Sequence, residues 1–267
     1  MVTWKATWLI HYQKSKSFHL GYQKRLVRKP LFLSVLTKSE PGDTLGAKEA
    51  KMSKQIRAYS VSEECWQAGV HGLGILLSIS ALVILVVLSA IYNNVWAVVS
   101  SAIFGASLIW MYSASTLYHA IFNTSAKKVL KKIDHIAIYY LIAGSYTPFL
   151  LTTLRGPVGW TMFGIIWALA VTGTVLKILL PPSGTKVWSI GLYLGMGWLV
   201  VVACDRLVRT LSPTALWFLA LGGVLYTLGI IFYVWKSKPY THVIWHTFVL
   251  AGSVMHFFAV LYGCVLP

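Results

Sequence analysis

The chain has 267 residues, 57% of them hydrophobic and only 11% Asp, Glu, Lys or Arg, with a net charge of +16. A soluble domain carries about a quarter of its residues as charges, so this composition excludes one and calls for several membrane crossings. Twelve of the 23 Lys and Arg lie in residues 1–60, and five of the seven acids precede residue 65. With the apolar spans set aside, no basic face remains for nucleic acid, and the loop lysines suit anionic lipid head groups instead.

Residues 1–60 hold no apolar run long enough to cross a bilayer. They read as a basic, disordered extension, with a polar linker at residues 40–54 (EPGDTLGAKEAKMSK) and two starts left open, Met1 and Met52. Residues 61–267 read as one all-α integral membrane domain, a bundle of seven transmembrane helices. Residues 65–126 contain no charged side chain, which is room for two helices at about 67–91 and 95–119 around a turn at Tyr92-Asn93-Asn94. Five more follow at about 134–154, 158–179, 187–206, 213–235 and 242–264.

The short loops set an orientation. Lys127, Lys128, Lys131, Lys132, Lys177, Lys186, Lys236 and Lys238 fall on one side with the basic tail, and Arg155, Arg206 and Arg209 on the other. That asymmetry puts the N-terminus in the cytoplasm and the C-terminus outside, in the plasma (inner) membrane if the source is bacterial.

Polar residues concentrate at the cytoplasmic end of this map. His242 and His246, four apart, share one face at the start of the seventh helix. Ser115 and His119, in STLYH, are also four apart and close the second, while Asp134, in KKIDH, opens the third. Three imidazoles from two helices form the ligand set of an open Zn2+ site, and a nearby carboxylate could accept a proton from water there. Each histidine alone also fits an interhelical hydrogen bond, and Asp134 alone fits a helix start or a lysine partner, so both readings stay open.

Other residues carry less. His256 lies too deep to share an ion with His246, and His71 reads as a packing residue or an outer neighbour of the site. His135 is expected to point away from Asp134. Cys65 is a fourth ligand only if the site is closed, and Cys204 with Cys264 could form a disulfide near the outer face. Gly191 and Gly195 suit close helix contact inside the bundle, and Pro148 a break or kink in the third helix.

The segments STLYHAIF, KKIDHIAIYYLIAGSYTPF and HVIWHTFVLAGSVMHF resemble the signature of the progestin and adipoQ receptor family, in particular its bacterial haemolysin III branch, over roughly residues 62–262. The resemblance implies seven helices with the N-terminus inside and zinc held by His119, His242 and His246, with Asp134 and Ser115 contacting the zinc-bound water or supporting the site. Adiponectin receptors and the distantly similar alkaline ceramidases are associated with hydrolysis of lipid amides, whereas the haemolysin III branch is named for cytolysis attributed to pores. Three functions are therefore carried forward. They are a zinc hydrolase acting on a ceramide-like lipid or serving membrane-lipid homeostasis, a pore-forming cytolysin, and a receptor or regulator with structural zinc. Membrane lipids are the expected partners, and the oligomeric state is open.

Overall fold

The computed structural model of the chain describes residues 59–180 and 182–267. Residues 1–58 of the expected extension, with both candidate starts, lie outside these residues, whereas Tyr59 and Ser60, assigned to it, are ordered against the bundle. Among the described residues every regular element is helical: α1 (Val61–Tyr92), α2 (Val95–Ala120), α3 (Thr124–Leu151), α4 (Pro157–Leu179), α5 (Pro182–Trp198), a 3-10 segment (Leu199–Ala203), α6 (Cys204–Thr210), α7 (Pro213–Val234) and α8 (Thr241–Val260), which runs into a π-type turn (Leu261–Val265). Six stretches are long and apolar enough to cross a membrane: α1, α2, α4, Val187–Thr210, α7 and Thr241–Val265. The protein is thus an integral, multi-pass membrane protein. Helix α3 differs in that Lys127, Lys128, Lys131, Lys132 and Asp134 all lie in its first three turns.

Local chemistry sets the helix ends. Ser60 caps α1 in a reciprocal box with Glu63, so α1 begins at Val61 instead of near residue 67. Asn93 ends α1, and the Asn94 side chain caps α2 through Trp96 N at 2.9 Å, which makes the expected hairpin turn. Asn123 caps α3 in the same way, so the helix starts at Thr124, ten residues before the expected start at Asp134. Pro157 and Pro213 occupy first-turn positions of α4 and α7, where a missing N–H does no harm. Helix α3 continues through Pro148 to Leu151 instead of breaking there.

The crossing expected at 187–206 is interrupted. Its α-helix stops at Trp198, turns through Leu199–Ala203 and resumes at Cys204. Backbone groups freed inside hydrocarbon need partners. Tyr146 of α3 supplies them: its hydroxyl accepts from Val200 N at 2.8 Å and donates to Gly197 O at 2.7 Å. Tyr146→Phe should therefore leave the Val200 amide unpaired and destabilise the fold by about 1–3 kcal/mol. Thermal unfolding in detergent checks this, and a melting point equal to wild type would show that the interruption has another cause.

In the bundle α2 packs between α1 and α3, α3 against α4, and α8 between α7 and α1. Close approach relies on glycines other than those expected. A Cβ on Gly105 would sit 2.9 Å from Leu82 Cα, so only glycine lets α1 and α2 meet there. Gly191 and Gly195 are exposed, with open space where a side chain would go. Buried hydroxyls mostly bond back to their own helices, as Ser78 does to Gly74 O at 2.6 Å and Thr147 to Ala143 O at 2.8 Å.

A cavity of about 490 Å³ runs between α3, α5, α6, α7 and α8, and its lining is almost wholly apolar. Its outer wall includes Trp198, Val201, Val208 and Val224, which are also exposed on the outside of the bundle. Helices α5 to α7 leave this side of the bundle thinly packed.

Candidate metal centre

The start of α1, the end of α2, the start of α3 and the start of α8 converge at the lysine-rich end of the bundle. His119 and His246 are buried and His242 is half-buried. One ring nitrogen from each of the three lies within 4.8 Å of the others. Of the expected site, then, the structure brings all three histidines together.

The group fits a cation by an independent measure. The Nε2 atoms of His119 and His246 face each other at 3.2 Å. Two nitrogens bound tetrahedrally to zinc at about 2.0–2.1 Å would be about 3.3 Å apart. His242 Nδ1 is buried with no hydrogen-bond partner among the described residues, and a buried polar atom left alone calls for an occupant. The donor set is three neutral imidazoles, which suits Zn2+.

Beside the histidines lies a pocket of about 20 Å³, bordered by His71, Asp134, His135, His242 and His246 on its polar side. That is room for about one water molecule. Asp134 is buried, and the Ser115 hydroxyl is set beside its carboxyl without a partner within hydrogen-bonding geometry. His135, expected to point away, borders the same pocket, because the helix turn that aims Asp134 inward carries its neighbour along the wall. Five residues, Met111, Ile138, Tyr233, Trp245 and Val249, line both this pocket and the large apolar cavity. The two spaces share one wall.

Several contributors were not foreseen. Glu64 of α1 accepts from His119 Nδ1 at 2.7 Å and from Lys127 Nζ at 2.7 Å. His71, expected as a packing residue or an outer neighbour of the site, is the latter, with its Nε2 2.7 Å from His246 Nδ1. With α1 begun at Val61, Glu64 and His71 fall seven residues apart on one helix face. That spacing was the available signal, hidden by a helix start set too late. Tyr59 stacks on His242 at 5.1 Å, and Tyr240, in a left-handed conformation at φ 60°, gives its N–H to Glu63 at 2.8 Å just before α8. Burial, with Tyr118, Tyr233 and Glu64 nearby, holds the Tyr59 phenol well above its ordinary range, so it stays a neutral O–H.

Other candidates fall away. Cys65 is exposed, because it lies off the face that carries Glu64 and His71 inward. Cys204 and Cys264 are both free thiols: Cys264 is buried near Thr153 at 3.6 Å, and Cys204 is exposed. His256 packs its ring on Gly222 and edge-on to Tyr226 at 5.2 Å, away from the three histidines.

The profile of the family described as "Haemolysin-III related" matches residues 59–257. The chain is 47% identical over 207 residues to the "Hemolysin-3 homolog" of Bacillus subtilis (strain 168), covering 78% of this chain and 97% of that one. It is 45% identical over 207 residues to "Hemolysin-3" of Bacillus cereus, covering 78% and 94%. It is also 30% identical over 194 residues to the human "Monocyte to macrophage differentiation factor", covering 69% and 78%.

Proposed function

As the chain belongs to the Haemolysin-III related family, we propose that it is a zinc-dependent hydrolase of membrane lipids, with His119, His242 and His246 holding the metal and a ceramide-like amide as substrate. In this reading α3 makes a seventh crossing and the lysine-rich end faces the cytoplasm. One observation carries the proposal: a water-sized polar pocket at the histidines shares a wall with a 490 Å³ apolar cavity. Such a pair of spaces suits a molecule with one hydrolysable polar group at the end of a hydrocarbon chain.

Bound zinc would polarise a carbonyl and make water a nucleophile near neutral pH. The chain's own residues do the rest. The apolar walls contributed by α3, α5, α6 and α7 take the hydrocarbon chain and hold its polar end toward α8. Met111, Tyr233 and Trp245 stand at the junction and keep bulk water from following. Asp134, facing the small pocket with the Ser115 hydroxyl beside it, takes the proton of a water entering there.

The test is fatty-acid release from N-acyl lipids by purified protein in liposomes. Release should stop on chelation and return with added zinc. No release, or release indifferent to chelation, would overturn the reading. Leakage of an enclosed dye from the same vesicles, indifferent to chelation and without fatty-acid release, would assign the lysis that the Bacillus cereus relative's name describes.

A further inference from the structure

We propose that Glu64 and His71 are positioning residues: Glu64 fixes the ring tautomer of His119, and His71 lets His246 move its proton to Nδ1, so that both ligands can present Nε2 lone pairs to one cation. The proposal rests on the zinc reading of the three histidines and goes beyond it, to the residues behind the ligands.

The chemistry of the partners assigns the protons. Glu64 is a carboxylate held by Lys127 at 2.7 Å, so it can only accept, and His119 Nδ1 must be its donor. A neutral imidazole carries one ring proton, so His119 Nε2 is left as a lone pair. That lone pair points at His246 Nε2, 3.2 Å away.

His246 then has two choices. It can place its proton on Nε2 and donate to His119, accepting at Nδ1 from His71. Alternatively, it can place the proton on Nδ1, donate to His71 Nε2 at 2.7 Å and turn a second lone pair toward His119. In the second arrangement two lone pairs face one another, which only a cation between them stabilises. His71 serves both, because its ring carries one proton and can exchange which nitrogen holds it. Its Nδ1 is buried and has no other partner among the described residues, so nothing else pins its tautomer. The histidine pair thus closes on itself without metal and opens to receive it, while Glu64 keeps His119 in the receptive form throughout.

A simple staple between α1 and α3 would also use Glu64 and Lys127, but it would not need the histidine contacts to fall on Nδ1. Here each ligand's far nitrogen is held and its near nitrogen is freed. Outer partners of this kind set ring orientation and ligand basicity in metal sites.

Zinc affinity of purified, chelator-stripped protein, measured by competition with a chromophoric chelator, tests the assignment. Wild type should bind one ion per chain, and Glu64→Ala and His71→Ala should each weaken binding about 10–100-fold. Glu64→Gln and His71→Gln keep an acceptor oxygen and should recover part of that loss. Thermal unfolding of the metal-free variants is the parallel readout, since a staple would lower melting without moving zinc affinity. Alanine variants that bind zinc as tightly as wild type would overturn the proposal and leave the three-histidine site standing. Wild type that binds no zinc would overturn both. Should the alanine variants not fold, glutamine variants that bind as tightly as wild type overturn the proposal, and severalfold weaker binding supports it.

Discussion

Replacing His242 with alanine is expected to strip the purified protein of zinc, from about one ion per chain to below about a tenth, because two imidazoles do not make a zinc site. His242 is the informative choice of the three. His119 and His246 also hold Glu64 and His71, so removing either breaks a buried hydrogen bond as well as a ligand set. His242 Nδ1 has no hydrogen-bond partner among the described residues, and the ring packs against others, stacked on Tyr59 and near Tyr233. The variant should therefore fold and stay monodisperse in detergent while losing its metal, a loss of affinity of at least about a hundredfold. Elemental analysis after gel filtration measures it. Zinc retained at one ion per chain would remove His242 from the site and with it the three-histidine reading.

The second large effect is on turnover. Asp134→Asn should reduce lipid hydrolysis by about 10²–10⁴-fold, the usual worth of a positioned proton acceptor, and leave zinc content unchanged. Asparagine fills the same volume, but its amide does not take up a proton near neutral pH. Asp134 is only 8% exposed, so no solvent carboxylate or buffer base can readily replace it. Fatty-acid release per zinc-loaded protein is the measurement. Wild-type turnover by the asparagine variant would leave Asp134 a structural carboxylate.

Much of this was legible because apolar length and helical spacing are local properties. The uncharged run at 65–126 and the Asn93-Asn94 turn gave the first hairpin, and the two four-residue spacings put His119 beside His242 and His246. What stayed hidden depends on contacts made elsewhere in the chain. The start of α1 is polar, so an apolar criterion missed it, although Ser60 and Glu63 form a capping box there. Losing that first turn concealed Glu64, whose role is set by His119 and Lys127 on other helices. Helix α3 begins with a lysine-rich stretch, for which a hydropathy pattern has no signal. The interruption at Leu199–Ala203 is satisfied by Tyr146, a hydroxyl more than fifty residues away, and no local motif announces it. The glycine pattern at 191 and 195 pointed inward by analogy, yet helix rotation turned both outward.

The thinly packed flank beside α5, α6 and α7 bears on how a ligand is delivered. Trp198 and Val201 are half or more exposed and yet border the large cavity, so under the proposed lipid reading an entrance on this side would face acyl chains. A lipid could slide in along the plane of the bilayer without passing through water. Its supply would then follow mole fraction within the membrane, not solubility, and dilution with inert phospholipid at constant bulk concentration would slow the reaction.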